Sequence, residues 1–135
     1  MGIEEFLTEP LSSSGASLGG RTDLSGHWRN GLGSEMTLVV ASDGAVSGTY
    51  RTGVGLPSPA EDFPLRGYAE RDLVAFVVNF GRYGSLAGWV GQHTVAGGKE
   101  RIETLWHLAR DVPEADEPAG LWAGILAGAN LFERA

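Results

Sequence analysis

The sequence predicts an all-β protein, an eight-stranded antiparallel up-and-down β-barrel. Twenty-one glycines and six prolines among 135 residues interrupt the chain at short intervals, as the turns of a strand-rich protein require. Stretches of alternating apolar and polar residues lie between these interruptions. Eight such stretches follow one another at spacings of about ten residues, and closing them into a barrel removes the unpaired sheet edges.

The first seven strands are predicted from this alternation and from the turns that join them. The Ser-Asp-Gly-Ala segment at 42–45 is an Asp-Gly hairpin turn between the second and third strands. The connection at 53–64 is a long loop stiffened by three prolines, and the glycine pair within 96–100 turns the sixth strand into the seventh. The predicted strands cover 23–30, 35–41, 46–51, 64–70, 72–80, 85–95 and 101–110.

The two ends of the chain need separate treatment. The periodicity of 121–132 fits a helix or a strand; we predict a strand, because Gly124 and Gly128 disfavour a helix and an eighth strand closes the sheet. Residues 1–22 are acidic and then rich in Ser and Gly, which predicts a flexible tail ahead of a single barrel domain at 23–135.

The composition argues against several classes of partner. The net charge is −7, and one lysine and nine arginines are scattered without a basic stripe, which argues against nucleic acid and anionic membranes. Cysteine is absent, so the chain has no disulfides, no thiolate nucleophile and no cysteine metal site. No apolar run approaches the about 18 residues of a membrane span, and no signal peptide is visible.

No motif predicts catalysis or metal binding. The serines lack the Gly-x-Ser-x-Gly context of a nucleophile. His27, His93 and His107 lack the spacing of metal ligands and are expected at the surface or rim. Glu100 and Glu103 fall on opposite faces of one strand. We place no Asp, Glu or His on an inward position, so we predict no catalytic residues and no metal.

Polar and aromatic side chains recur at the strand ends that a barrel closed in sequence order brings to one mouth. They are Asn30, Ser34, Tyr50, Thr52, Ser85, Trp89, Trp106 and Asn130. A few donors and acceptors among aromatic rings are the usual lining of a small-molecule pocket, and eight strands leave room for one small ligand. Taken singly, each residue also fits a turn or core position, so the prediction rests on their joint placement.

Five motifs resemble, in the same order, the avidin/streptavidin family of biotin-binding proteins. The run 24–55 contains Gly-x-Trp-x-Asn-x-Leu-Gly-Ser and then Asp-Gly-x-x-x-Gly-x-Tyr. Gly-Trp-Val-Gly-Gln at 88–92 and the segments 101–108 and 121–132 are similar to the later strands of that family. The resemblance implies high-affinity, non-covalent binding of biotin inside the barrel, with no catalysis and no other cofactor.

The resemblance also implies roles for single residues. The ureido carbonyl of biotin would accept hydrogen bonds from Asn30, Ser34 and Tyr50, while Thr52 and Asn130 would accept from its N–H groups. The remaining implied contacts are Leu32, Val54, Phe80, Ala87, Trp89, Trp106 and Leu108 along the ring and chain, and Ser85 and the backbone N–H of Leu56 at the carboxylate. The loop 53–63 would cover the mouth.

Assembly and location are likewise implied by the resemblance. It implies a homo-oligomer, most simply a tetramer of paired dimers, in which Trp122 reaches the pocket of a neighbouring subunit. The outward positions Leu105, Ala127 and Ala129 fit such a contact, since they form an apolar and flat surface. The family resemblance also implies a secreted or periplasmic protein.

Two other functions stay open at the level of sequence. A lipocalin-like carrier of another small apolar ligand would need fewer polar groups deep in the barrel. A β-barrel enzyme would need an acid or base with a perturbed pKa inside the barrel. Stabilisation by biotin would distinguish the first function from both.

Overall fold

The computed structural model describes residues 2–7, 22–55, 60–113 and 124–135. Its eight strands form a closed antiparallel barrel in which each strand pairs with its neighbours in sequence, which confirms the predicted fold. The strands are β1 (Gly26–Asn30), β2 (Glu35–Val40), β3 (Ala45–Arg51), β4 (Phe63–Glu70), β5 (Leu73–Asn79), β6 (Ser85–Ala96), β7 (Lys99–Arg110) and β8 (Ile125–Arg134). Two short 3-10 helices cover Ile3–Phe6 and Gly81–Tyr83.

The first and last strands close the barrel. Strand β1 pairs with β8 through Trp28 and Arg134 and through Asn30 and Phe132. Within the described residues β8 begins at Ile125, and the start predicted at 121 lies outside them. The flexible tail predicted over 1–22 falls mostly outside the described residues as well and stays a prediction.

The core fills the barrel interior with one face of every strand. Inward and outward residues alternate along the strands, as their period of two requires. The fully buried side chains are Leu24, Trp28, Met36, Leu38, Leu65, Phe76, Val78, Ile102 and Phe132. Burying each such side chain contributes about 1.5–3 kcal/mol before the entropy cost of ordering it.

One end of the barrel is closed by the segment before β1. The backbone N–H of Thr22 donates to the carbonyl of Arg71 in the β4–β5 turn at 3.1 Å. Leu24 is fully buried beneath the barrel, and its carbonyl accepts a 2.9 Å bond from the indole N–H of Trp28. The opposite end, which contains the turn that joins β1 to β2, is the open one.

A charged network completes the closed end. The guanidinium of Arg134 lies 4.4 Å from the centre of the Trp28 ring and donates to Glu100. Glu100 also contacts the His93 ring nitrogen Nε2 at 3.0 Å. Arg134, and then His93, hold the pKa of Glu100 below its ordinary value.

The expectation that no Asp, Glu or His points inward is wrong at this end. His93 continues the inward row of Ala87 and Trp89 on β6, and its ring meets the Trp28 ring edge-on at 6.3 Å. Glu100 lies on the inward row of β7. Both polar groups are tolerated because each has a charged or hydrogen-bonding partner within the network.

Candidate functional site

The open end begins with a turn that fixes the orientation of one amide. Asn30 ends β1, and its side-chain oxygen accepts hydrogen bonds from the backbone N–H groups of Leu32 and Ser34, both at 3.0 Å. Gly33 supplies the left-handed backbone that this turn requires, with φ 85°. Because the oxygen of Asn30 is committed to the turn, its NH₂ group is the part that can donate to a ligand.

Ser34 is buried and oriented in the same way. Its Oγ accepts a 2.9 Å hydrogen bond from the backbone N–H of Gly53, which leaves the hydroxyl proton to be donated elsewhere. A side chain at residue 53 would collide with the turn, since its Cβ would lie 2.5 Å from the Leu32 carbonyl oxygen. Glycine at this position lets the two connections approach closely.

Tyr50 brings a third donor to the same place. Its side chain is buried, which raises the pKa of the phenol, while hydrogen bonding with Ser34 and Asn30 lowers it by less. The raised pKa keeps the hydroxyl protonated at neutral pH. Asn30, Ser34 and Tyr50 are therefore buried together at three strand ends, and each has a group that can donate a hydrogen bond.

Two predicted acceptors lie at the same end. The Thr52 hydroxyl donates to the carbonyl of Val54 at 2.6 Å and its oxygen accepts a 3.3 Å bond from the Val54 N–H, which leaves one lone pair of that oxygen for a ligand donor. Asn130 lies on the inward row of β8 opposite Thr104, whose hydroxyl donates to the Asn130 carbonyl at 2.9 Å. That bond involves the backbone of Asn130 and does not use its side-chain amide.

Aromatic rings form one wall of the site. Trp89 stacks on Phe76, with centroids 5.1 Å apart, and lies 5.1 Å from Tyr50. Phe80 meets Tyr50 edge-on at 6.2 Å and packs against Phe63 at 4.9 Å. The sequence prediction included Trp89 and Phe80 but missed Phe63 and Phe76. The inward alternation of β4 and β5 was the signal that pointed to them.

The same wall continues onto β7, where it depends on a glycine. Trp106 on β7 pairs with Trp89 on β6 and with Gly128 on β8. A Cβ at Gly128 would lie 2.7 Å from the indole Cε2 of Trp106, so only glycine leaves room for this ring. Leu108 continues the wall as a half-buried side chain beside the buried Ala87. The sequence argument used Gly128 only against a helix and missed this role.

The interior also contains an unused donor. The indole N–H of Trp89 is buried and has no hydrogen-bond partner among the described residues. An unpaired buried donor costs about 1–3 kcal/mol. This group therefore favours a ligand that brings an acceptor, which a purely apolar ligand does not.

The remaining predicted contacts lie at the rim or outside the described residues. Leu32 and Val54 are 62% and 51% exposed, so they stand at the mouth and are not packed within the wall. The Ser85 hydroxyl makes only a long 3.4 Å contact to the Tyr83 carbonyl. Leu56 and Trp122 lie outside the described residues.

Two further features bear on function. In the described parts of the chain no group of three or more His, Asp or Glu side chains is placed to hold a metal ion. No helix within the same ranges is long and apolar enough to cross a membrane.

Comparisons with known proteins identify the family and the fold. The Avidin family profile matches residues 19–135. Avidin of Gallus gallus is 32% identical over 123 residues, covering 84% of this chain and 79% of that protein. The crystal structure of xenavidin superposes with a TM-score of 0.76 at 32% identity, covering 85% of this chain and 99% of that one. The rhizavidin–biotin complex gives 0.71 at 27% identity, covering 84% and 97%.

Proposed function

Because the chain belongs to the avidin family, we propose that it binds biotin inside its barrel, non-covalently, with high affinity and without catalysis. The observation that carries the proposal is the convergence of Asn30, Ser34 and Tyr50 at the open end. A urea carbonyl is an acceptor that three such donors suit. The biotin present in the complex of the structurally similar rhizavidin supports the same ligand class.

The head of the ligand would be held by its polar edge. A carbonyl flanked by two nitrogens takes on partial negative charge, and three oriented donors in a dry site favour that polarised form. Thr52 and Asn130 would accept from the two ureido N–H groups. The donors are oriented before binding, so little conformational freedom is lost when the ligand enters.

The apolar body of the ligand would lie against the aromatic wall. Phe80, Trp89 and Trp106 would contact its bicyclic ring and acyl chain. Ala87 has no hydroxyl that could donate a hydrogen bond to the ring sulfur. The absence of this bond should reduce the affinity only slightly, because a thioether is a weak acceptor. Leu32 and Val54 would be covered by the ligand at the mouth, and Ser85 and the N–H of Leu56 would meet the carboxylate.

A thermal-shift assay with a matched ligand tests the proposal. Excess biotin should raise the melting temperature strongly, because a ligand that binds only the folded state stabilises it by mass action. Lipoic acid is the control, since it has a sulfur ring and a five-carbon acid chain but no urea. An equal shift with both would favour a carrier of apolar ligands, and no shift with biotin would rule out the proposed function.

We also propose that the protein assembles into a homo-oligomer, most simply a tetramer. The outward faces of β6, β7 and β8 support this, because Val90 is 66% and Leu105 65% exposed and Ala127 and Ala129 lie exposed beside them. An apolar surface of this kind on a sheet marks an interaction site. Sedimentation that finds a single 14.2 kDa species would contradict the proposal.

Trp122 would complete a neighbouring subunit's pocket in that assembly, as the family resemblance implies. Trp122→Lys should then speed biotin release and loosen the oligomer while each barrel stays folded, since interface tryptophans often dominate binding energy. A wild-type release rate together with a wild-type mass would exclude the shared pocket.

The family membership also supports export to the periplasm or the medium. Immunodetection of the protein in cell fractions of its source tests this, and recovery from the cytosol alone would contradict it.

A further inference from the structure

Three side chains outside the proposed ligand contacts form a charged group at the open end, here called the mouth cluster: Glu61, Arg82 and Tyr83. The Arg82 guanidinium contacts both Glu61 oxygens, at 3.0 and 3.1 Å, and the Tyr83 hydroxyl donates to Glu61 at 3.1 Å. Arg82 also donates to the Tyr83 hydroxyl at 2.9 Å and lies 4.8 Å from its ring centre. Each member thus contacts the other two.

The mouth cluster joins two connections that are far apart in sequence. Glu61 lies in the β3–β4 connection, two residues before β4, whereas Arg82 and Tyr83 belong to the 3-10 helix between β5 and β6. The neighbouring residue Asp62 forms an ion pair with Arg51 at the end of β3. The ion pair of Asp62 with Arg51 therefore holds the segment that contains Glu61 next to β3. From this position Glu61 contacts the 3-10 helix, which lies on the other side of β4.

The 3-10 helix in turn sets the place of a wall residue. Phe80 directly precedes it, and the Tyr83 N–H donates to the Phe80 carbonyl at 3.1 Å, while the Phe80 N–H donates to the carbonyl of Ser85 at the start of β6 at 3.0 Å. The Tyr83 ring packs edge-on against Phe63 at 6.0 Å, and Phe63 packs against Phe80. A shift of the 3-10 helix must therefore move Phe80.

We propose that the mouth cluster is a positioning device: it holds Phe80 against the ligand and so slows ligand release. The inference rests on the proposed function, the binding of biotin. The two-pronged contact of a guanidinium with a carboxylate fixes orientation as well as distance. Arg82 is 72% exposed, so the ion pair adds little to folding stability, and its effect falls on the geometry of the mouth.

Three single variants and one control test the device: Glu61→Gln, Arg82→Gln, Tyr83→Phe, and Arg101→Gln. The control removes a different and less exposed ion pair, Arg101 with Glu133 at 3.4 Å, which lies on β7 and β8 towards the closed end. Glu61→Gln and Arg82→Gln should release biotin about two- to fivefold faster than wild type, and Tyr83→Phe should accelerate release by less. The control should release it at the wild-type rate, and all four melting temperatures without ligand should stay near wild type.

Two readouts separate positioning from a general loss of structure. The double variant Glu61→Gln/Arg82→Gln should release biotin no faster than either single variant, because the two residues act through one contact. Salt at about 1 M should speed release from wild type but not from the double variant, since salt screens an exposed ion pair. Arg82→Lys, which keeps the charge but loses the fork, should fall between wild type and Arg82→Gln.

The outcomes are distinguishable from a failure of the proposed function. If wild type does not bind biotin, the proposed function is wrong. If wild type binds and the cluster variants release biotin at its rate, the positioning role is overturned. If Glu61→Gln and Arg82→Gln have melting temperatures well below wild type, the test rests on Tyr83→Phe and Arg82→Lys. Release rates and salt responses equal to wild type in both of these variants would overturn the proposal.

Discussion

The two ends of the barrel both contain buried or half-buried polar groups, but the hydrogen bonds of these groups differ. At the closed end the donors of Trp28 and Arg134 find their acceptors within the protein, in the Leu24 carbonyl and the Glu100 carboxylate. At the open end the backbone occupies the oxygens of Asn30 and Ser34, and their donor groups are left to the Tyr50 hydroxyl, which they share in place of a backbone or carboxylate acceptor.

This difference separates polar groups that hold the fold from polar groups that suit a ligand. A network in which every donor and acceptor is paired stabilises a unique structure and has no free donor or acceptor for a ligand. A set of donors oriented through their acceptor atoms is ordered in advance, and any ligand carbonyl that reaches it gains the hydrogen bonds at little entropy cost. Variants at the closed end should therefore change stability, and variants at the open end should change binding.

The largest expected effect is on stability, at the closed end. Trp28 is fully buried, so Trp28→Ala should lower the free energy of unfolding by about 3–5 kcal/mol through the cavity it leaves. It also removes the donor to the Leu24 carbonyl and the ring beneath Arg134. Urea unfolding of the ligand-free protein measures the loss, and a change below about 1 kcal/mol would mean that the closed end does not hold the barrel together.

The next effect is on binding, at the open end. Asn30→Asp preserves the shape and the oxygen that caps the turn, but replaces the NH₂ donor by a second oxygen. It should weaken biotin binding by at least about 1–3 kcal/mol, because a carboxylate oxygen would then face the ligand carbonyl. Calorimetric titration measures it, with Arg29→Gln, which breaks only the exposed ion pair with Glu35, as the neighbouring control. Equal affinities for the two variants would remove Asn30 from the site.

The smallest effect is the pH response of the closed end. The pKa of Glu100 lies below its ordinary value of 4.5, so the ionised carboxylate stabilises the folded state above that pH. The contribution is lost as the pH falls through the lowered pKa. The wild-type melting temperature should therefore drop more steeply between about pH 5 and pH 3 than that of Glu100→Gln. Parallel curves would show that the network does not couple protonation to stability.

The fold could be predicted because strand alternation and turn residues are local signals. The prediction that the sheet closes into a barrel followed from the number and order of the strands, and the structure confirms it. The donors Asn30, Ser34 and Tyr50 could be named because family motifs fix their positions. Whether they contact a ligand stays a prediction.

Apart from Phe63 and Phe76, which strand alternation could have identified, the features that sequence reasoning missed depend on contacts between distant segments. Glu61 and Arg82 are 21 residues apart, and only the barrel register brings their connections together. The role of Gly128 follows from the Trp106 ring that lies over it, and the contact of His93 with Glu100 follows from the pairing of β6 with β7. The alternation of apolar and polar residues along the sequence does not determine which residues become neighbours across a sheet.

The biotin release rate of Tyr50→Phe, measured with its melting temperature on the same sample, tests most directly whether the open end is built for a ligand. The substitution removes one hydroxyl and preserves the ring that packs on Trp89. We predict release about tenfold to a hundredfold faster than wild type, which corresponds to about 1–3 kcal/mol, with a melting temperature close to wild type in the absence of biotin. An unchanged release rate together with a lowered melting temperature would show that Tyr50 serves the fold, and would contradict the account.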